Sequence, residues 1–271
     1  MKDFSQSVSN RERMKIRLPP AQYKNLTARV LVALAAFSIL SFSTALNTFA
    51  QKSFSKTYPA RSNVRLELRN WSGAIKVETW ERSEIKISAE MESPAARFSP
   101  EMSDTGLKID VINANRGRGD IGAVNFRVQV PVNSTVDLET KRGDITVRGV
   151  QGSMVRAHIT LEGDIHLTDI RAVMVRAENI MGDILFDGEL LPGGSYDISS
   201  VQGNINIRIP YDSAFRLVAT APLTRSITLG SFAHPGLSFI SDGRKVVGNV
   251  GDGRASLNIT NQRGKISFLH R

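Results

Sequence analysis

KRGDITVRGVQGSMVRAHITLEGDIHLTDI, residues 141–170, contains two copies of one short pattern about twenty residues apart. Each copy begins with Gly-Asp-Ile, and another aliphatic residue follows two positions after the Ile. MGDILFDGEL (181–190) and QGNINIRIP (202–210) continue the series along the chain. A pattern that returns at a fixed period is the sequence signature of stacked supersecondary units.

The residues after the four glycines keep a constant register, although the glycines are spaced by 20, 19 and 21 residues. The second position after each glycine is Ile, and the fourth is Val, Leu, Phe or Ile. Alternation of this kind is typical of a strand with one buried face. The seventh position, occupied by Val150 and Ile170 in the first two copies, predicts an inward residue at a corner.

Weaker copies of the pattern occur near both ends of the domain, at Gly73, Gly119 and Gly264. Glycine gives a tight turn its backbone freedom, and Asp or Asn is a favoured neighbour in such turns. Each repeat is therefore predicted to form a strand, a tight turn, a second strand and a corner. The predicted turn residues are Gly73, Gly119, Gly143, Asp144, Gly163, Asp164, Gly182, Asp183, Gly203, Asn204 and Gly264.

Two all-β architectures fit these repeats. One is a single-stranded, β-helix-like β-solenoid, in which each coil of about 20 residues stacks in parallel on the next. The alternative is an antiparallel β-sandwich of hairpins, with each Gly-Asp at a hairpin turn. The solenoid is favoured because stacking explains why one inward position accepts different aliphatic residues, whereas a hairpin sandwich need not hold a fixed period.

The first 50 residues differ from the rest of the chain. Residues 1–29 carry seven basic and two acidic side chains, and residues 30–46 carry no charge. Thr48 and Ala50 then occupy the small-residue positions of a cleavage site, as in a secretory signal peptide. An uncleaved N-terminal anchor is the alternative, because the apolar run reaches only the short limit of a membrane span. The predicted organisation is a signal peptide or anchor at 1–50 and a β-strand-repeat domain at 51–271.

The charge of the chain argues against a nucleic-acid partner. The formal net charge is +9, but without the basic leader the remaining 28 basic and 24 acidic residues give only +4. Such a mild excess still allows attraction to anionic envelope polymers. The chain has no cysteine, so disulfides and thiolate metal sites are excluded.

The run VNFRVQVPVNSTVDLETKRGDITVRGVQGSMVRAHITLEGDIHLTDI, 124–170, resembles a bacterial adhesin-like family with β-strand repeats, catalogued as the domain of unknown function DUF4097. Members have a Pro at the end of a strand and repeated T-x-x-G-D-I turns. WSGAIKVETWERSEIKISA (71–89) is similar to the opening of the family and VVGNVGDGRASLNITNQRGKISF (246–268) to its close, although Lys265 replaces the acidic residue in the last turn. The resemblance covers roughly residues 54–268 and implies an exported β-helix-like protein with no defined activity.

The turn carboxylates are the first candidate site. A row of Asp120, Asp144, Asp164, Asp183 and Asn204 could bind Ca²⁺, which prefers oxygen ligands. Ala74 and Lys265 stand at the same offset in other repeats, and a metal ladder does not tolerate lysine. We therefore expect each side chain to cap its own turn, with no metal and no other cofactor.

Other candidate residues also have structural explanations. The Arg-Gly-Asp triplets at 118–120 and 142–144 coincide with predicted repeat turns. Trp71 and Trp80 could stack on a sugar, but their offsets match those of inward residues. The histidines do not have metal-ligand spacing; they are His158, His166, His234 and His270.

The sequence favours a non-catalytic envelope protein over an enzyme. We expect a surface binding, adhesion or structural module in the periplasm or at the cell surface. Its expected partners are an envelope polysaccharide or a protein, with membrane contact only through an uncleaved N-terminal segment. A polysaccharide-acting β-helix enzyme is the alternative, since outward residues such as Arg148, Asp169 and Arg176 are available.

Overall fold

The computed structural model of the protein describes residues 52–271, which are almost entirely β-strand. The predicted signal peptide or anchor at 1–50 lies outside the described residues, so it stays a prediction together with the domain boundary at 51. The strands up to the middle of the chain are β1 (Lys52–Pro59), β2 (Arg65–Ser72), β3 (Ile75–Trp80), β4 (Glu84–Met91), β5 (Glu101–Met102), β6 (Gly106–Asp110), β7 (Val124–Pro131), β8 (Thr135–Arg142), β9 (Ile145–Arg148), β10 (Met154–Glu162) and β11 (Ile165–Ile170).

The remaining strands continue the same alternation of long and short elements. They are β12 (Met174–Met181), β13 (Ile184–Gly188), β14 (Ser195–Gln202), β15 (Ile205–Ile209), β16 (Phe215–Thr220), β17 (Ile227–Thr228), β18 (Leu237–Ile240), β19 (Lys245–Val250), β20 (Ala255–Asn261) and β21 (Ile266–His270). A one-turn helix, α1 (Val111–Ala114), precedes β7, and a 3₁₀ turn (Gly230–Phe232) precedes β18.

The strands form two sheets that enclose one hydrophobic core. Sheet I has ten strands in the order β1-β4-β7-β3-β9-β11-β13-β15-β21-β17. Sheet II has eleven strands in the order β18-β19-β16-β20-β14-β12-β10-β8-β2-β6-β5. Each repeat contributes one strand to sheet II, turns at its glycine and contributes the next strand to sheet I.

The central coils stack in parallel and in register, which confirms the predicted solenoid. Ile145 pairs with Ile165, Ile165 with Ile184 and Ile184 with Ile205 along sheet I. All four side chains are fully buried. A sandwich of hairpins would make β9, β11 and β13 antiparallel to their neighbours, and here they are parallel.

Both ends of the stack change to antiparallel pairing. At one end β1 and β7 flank β4 in antiparallel pairs, and β5 is antiparallel to β6. At the other end β19 runs antiparallel to both β16 and β18. The long edge strand β1 carries Lys52 and Lys56 and ends at Pro59, and lysine and proline are residues that discourage further strand pairing.

The spatial order of the coils differs from their order in the chain. The coil of β2 and β3 lies between β6 with β7 on one side and β8 with β9 on the other. The coil of β20 and β21 likewise fills the gap between β14 with β15 and β16 with β17. Segments near both ends of the described chain therefore occupy interior layers of the stack.

A column of turn glycines explains why the repeat needs this residue. Gly143 has a φ of +105°, and a Cβ on it would lie 2.6 Å from the carbonyl oxygen of Gly73 in the next layer. Gly163, with a φ of +142°, would meet the carbonyl of Gly143 more closely still. Because backbone lies directly on backbone, no side chain fits at these positions. The column consists of Gly73, Gly143, Gly163, Gly182, Gly203 and Gly264.

The prediction for Gly119 was wrong. Gly119 lies in a loop outside the strands, and no atom lies within 4 Å of where its Cβ would be. The layer that packs on Gly73 is provided by Val124 and Asn125, and Phe126 pairs with Ile75. A glycine is not needed there because the chain enters β7 from a loop and makes no turn between the two sheets.

Replacing Gly163 with alanine should lower the free energy of unfolding by about 3 kcal/mol, because the new methyl group combines a positive φ with a backbone collision. Gly193→Ala is the matched control, since Gly193 has a φ of +77° but no atom within 4 Å of the Cβ position. It should cost about 1 kcal/mol from the backbone conformation alone. Urea unfolding of both variants measures the difference. Equal losses would contradict the role of the stacked carbonyl.

Candidate functional site

The turn carboxylates form hydrogen bonds between layers, and the prediction that each caps its own turn is thereby corrected. Asp144 Oδ1 accepts the backbone N–H of Asp164 at 2.8 Å. Asp164 Oδ1 accepts that of Asp183, and Asp183 Oδ1 accepts that of Asn204, both at 2.7 Å. Each side chain thus supports the turn of the following coil.

The hydrogen bonds at the two ends of this ladder explain why Ala74 and Lys265 can stand where other repeats have Asp or Asn. Asn204 Oδ1 accepts the backbone N–H of Lys265 at 3.2 Å, so Lys265 takes part through its backbone and its side chain is free to vary. Ala74 likewise donates its N–H to Asn125 Oδ1 at 2.9 Å. Asp120, which was predicted in the row, lies in the loop before β7 and is not part of it. Within residues 52–271, no group of three or more acidic or histidine side chains could hold a metal ion.

The tryptophans do not form a common platform, because Trp71 lies in sheet II and Trp80 in sheet I. The indole N–H of Trp80 donates to the Glu84 carbonyl at 2.8 Å, and the Arg82 guanidinium lies 5.1 Å from its ring centroid. Trp80 is half-buried rather than fully buried at the predicted corner. Both contacts are local, so Trp80 packs against its own β3–β4 connection.

The inward position predicted for Trp71 was also wrong. Asn70 is the fully buried residue at the end of β2, and its amide donates to the carbonyls of the turn. Trp71 therefore faces outward, where the Lys141 ammonium lies 3.7 Å from its ring centroid. In the same column, Leu161 and Ile180 are 45% and 41% exposed. In β2 the last inward position is thus held by a polar residue, whose amide satisfies carbonyls of the turn.

The Arg-Gly-Asp triplets lie in different settings. Arg118 at the start of the first triplet donates to the Asn115 side chain at 3.2 Å in the loop before β7. Arg142 of the second is at the end of β8, 3.3 Å from Glu162. The Gly and Asp of the second belong to the glycine column and the inter-layer ladder described above, so structural roles account for them.

The histidines lie apart, as their spacing predicts. His158 is on the outer face of sheet II beside Arg156, and His166 is on the outer face of sheet I. His234 accepts the backbone N–H of Gly236 in a loop, and His270 is exposed at the end of β21. No two of the four are placed to act together.

The outward residues considered for catalysis are also separated. Arg176 lies on sheet II, 3.7 Å from Glu178. Asp169 forms an ion pair with Arg271 at a corner, and this hydrogen bond raises the pKa of the Arg271 guanidinium above its ordinary value. Arg148 lies on the outer face of sheet I. The structure therefore brings none of these three together as a catalytic pair.

On the outer face of sheet II, between β6 and β12, basic and acidic side chains form ion pairs with one another. Arg156 is central, with Asp137 at 2.9 Å, Glu139 at 3.9 Å and Glu178 at 4.0 Å. Other pairs on this part of the sheet include Arg65–Asp137, Arg69–Glu139, Arg69–Asp110, Lys108–Glu67, Arg142–Glu162 and Arg176–Glu178. Basic groups that already face carboxylates have little attraction left for an anion.

The outer face of sheet I has a trough of about 500 Å³ across β4, β7 and β3. Most of its lining residues carry a charged or polar group, since outward positions of three adjacent strands point into it. The lining residues are Ala74, Lys76, Glu78, Lys86, Ser88, Glu90, Asn125, Phe126, Arg127 and Gln129. Arg148 of β9 lies beside the trough, paired in register with Glu78.

Charge is only partly compensated in the trough. The Lys76 ammonium lies 3.0 Å from Glu78. In the part of the chain that the structure describes, Lys86, Arg127 and Arg148 have no carboxylate within ion-pair distance. The far end of the same sheet is different, because Asp187 lies 3.5 Å from Arg208 and 3.1 Å from Arg271.

The sequence indicated Arg148 as an outward residue but not Lys86 or Arg127. Both occupy alternate outward positions in β4 and β7, and that alternation is readable in EIKISAEM and VNFRVQVP. What the sequence does not contain is the antiparallel pairing of β4 with β7 across some forty residues, which places Ser88 opposite Arg127 and Lys86 opposite Gln129.

The described residues, 52–271, contain no helix of the length and hydropathy that crossing a bilayer requires. A family model described as Toastrack DUF4097 matches residues 1–267. The sequence matches none of the curated proteins.

Several solved structures are similar at low identity. A candidate cell adhesion protein from Clostridium sporogenes is 12% identical, with a TM-score of 0.46, over 82% of this chain and 100% of its own. A candidate adhesin from Bacteroides fragilis is 10% identical, with a TM-score of 0.30, over 82% and 99%. A candidate lipid-binding protein from Parabacteroides distasonis is 11% identical, with a TM-score of 0.35, over 80% and 97%.

Two substitutions at Asp164 should separate hydrogen bonding from metal binding. Asp164→Asn should change the free energy of unfolding by less than about 0.5 kcal/mol, because an amide oxygen can accept the Asp183 N–H as Asn125 does for Ala74. Asp164→Ala should cost about 1 kcal/mol through loss of that acceptor. Urea unfolding with calcium and with a chelator is the measurement. A calcium-dependent stability that Asp164→Asn abolishes would favour the metal ladder instead.

Proposed function

Since the chain belongs to the Toastrack DUF4097 family, we propose that it acts as an exported, non-catalytic binding module of the cell envelope. The unit that binds is the β-strand-repeat domain at 51–271, delivered to the periplasm or cell surface by the basic and apolar leader at 1–50. Its partner is an envelope polymer or a protein exposed in the same compartment.

One observation carries this proposal: over most of their length the central parallel strands of both sheets pair in register, so their outward side chains form rows across the outer faces. On sheet I, for example, Lys76, Thr146 and His166 occupy equivalent positions on adjacent parallel strands. Neighbouring strands lie about 4.8 Å apart, so such rows present groups at a regular spacing over many strands. A long, regular surface suits an extended ligand better than it suits a compact substrate.

The arrangement of ionisable groups gives the enzyme alternative less support. A glycosidase needs two carboxyl groups within about 10 Å across one cleft. The carboxylates of Asp137, Glu139 and Glu178 do lie close together, but all three face Arg156 on the outer face of sheet II and are engaged in ion pairs. The outward residues Arg148, Asp169 and Arg176 lie on sheet I, at a corner and on sheet II. A binding role needs only the exposed rows themselves.

The proposal predicts that purified protein pellets with isolated, insoluble envelope polysaccharide and releases no sugar from it. Reducing ends and soluble carbohydrate are assayed in the supernatant while the protein is quantified in the pellet. Cellulose provides a neutral insoluble control. Sugar release would replace the proposal with the enzyme, whereas a protein that stays in the supernatant would argue against polysaccharide binding.

A further inference from the structure

We propose that the trough on sheet I binds an anionic stretch of an envelope polymer, with Lys86, Arg127 and Arg148 as the groups that contact its phosphates or carboxylates. This inference rests on the binding role proposed above and adds the ligand chemistry and the face. In the trough, basic side chains gather without enough carboxylates to compensate them.

Two cations lie side by side in the trough. Arg127 of β7 and Lys76 of β3 are directly paired residues on adjacent parallel strands. Like charges in this relation destabilise a sheet. Glu78 lies 3.0 Å from Lys76 and offsets that charge, whereas Arg127 has no carboxylate within ion-pair distance among residues 52–271. A bound anion would offset the remaining repulsion.

The surrounding cations extend the same site across the sheet. Lys86 is opposite Gln129, on the strand that carries Arg127, and is half-buried beside it. Arg148 is paired in register with Glu78 on the other side of β3 and is exposed. Glu78 and Glu90 are the acidic members of the group, so the four cations leave a positive excess.

The spacing of these cations selects a polymer over a single small anion. From β4, through β7 and β3, to β9 there are three strand intervals, which amount to about 14 Å between Lys86 and Arg148. One phosphate or carboxylate cannot reach both ends of this distance. A chain with an anionic group on successive units can contact both while its uncharged portion lies along the trough.

The other lining groups suit the hydroxyl groups of a sugar or polyol. Ser88 and Gln129 are half-buried with polar ends directed into the trough, and each can donate or accept a hydrogen bond. Phe126 also lines the trough but is only 2% exposed. The Phe126 ring therefore offers almost no surface to a ligand, and charge and hydrogen bonds select what binds.

Sheet II provides the internal comparison. Its central cation, Arg156, is surrounded by three carboxylates, and the neighbouring basic residues are paired as well. Between β6 and β12 most basic side chains of sheet II face carboxylates, whereas in the trough three of the four do not among residues 52–271, so the two regions differ in ion pairing. The polyanion is assigned to sheet I for this reason.

Binding is tested by titrating the full-length protein with soluble polygalacturonate, inorganic polyphosphate and neutral dextran at low salt. We expect both polyanions to bind with an affinity that falls as salt rises, and dextran to bind far more weakly. The preferred polyanion identifies the anionic group as carboxylate or phosphate. Binding of dextran as tight as that of the polyanions would overturn the inference.

The trough is tested with Lys86→Gln combined with Arg127→Gln, which should weaken polyanion binding about tenfold, or ~1.4 kcal/mol. The matched control is Arg216→Gln combined with Lys245→Gln, which removes the same charge from the outer face of sheet II and should leave affinity within about twofold. Urea unfolding confirms that both variants fold as the unsubstituted protein does.

The outcomes separate this inference from the proposed function. Equal losses of polyanion affinity in the two variants would show that net charge alone attracts the ligand, and would overturn the assignment to the trough. Unchanged affinity of the trough variant would also overturn that assignment. Protein that pellets with envelope polysaccharide but ignores both polyanions would overturn the ligand class and leave the binding role intact. Protein that binds neither material would remove the proposed function and this inference together.

Discussion

The contact of one turn backbone with the next determines the arrangement of the whole domain. Where Gly163 lies on Gly143, the carbonyl of one layer occupies the space that a side chain would need. Layers can approach this closely only in one register, because a shift by one residue would place a residue with a side chain, such as Asp164 or Glu162, in the column. The parallel pairing of β9, β11, β13 and β15, and the inward isoleucines beside the turns, follow from that constraint.

The same constraint organises the outer faces. Where the register holds, outward positions on adjacent strands form rows, and their side chains can be varied without disturbing the core. Sheet II uses its rows for ion pairs between strands, as Arg156 with Asp137 and Glu178 illustrates. Sheet I leaves Arg127 and Arg148 uncompensated at one end and pairs Arg208 with Asp187 at the other. Charge pairing thus differs from one region of the outer faces to another while the fold beneath stays the same.

The central coils could be predicted from the sequence because their information is local. Gly163, Ile165 and Leu167 specify a turn and an inward strand within five residues, and identical offsets return in neighbouring coils. The prediction for Gly119 was wrong because the residues after it have the spacing of a coil, although this segment is a loop that leads into β7. The orientation of Trp71 was predicted wrongly for a different reason. Alternation from the turn at Gly73 predicts that Trp71 points inward, whereas the buried position belongs to the polar Asn70. The trough depends on pairing between distant strands, for which the repeat provides no signal.

The layers formed by β2 with β3 and by β20 with β21 lie inside the stack although they come from near its chain ends. This placement restricts how such a domain can change length during evolution. Duplicating either of these coils would separate strands that must close around it, while duplicating a coil between β8 and β15 adds one layer between two existing ones. Each coil added between β8 and β15 would widen both outer faces by about 4.8 Å.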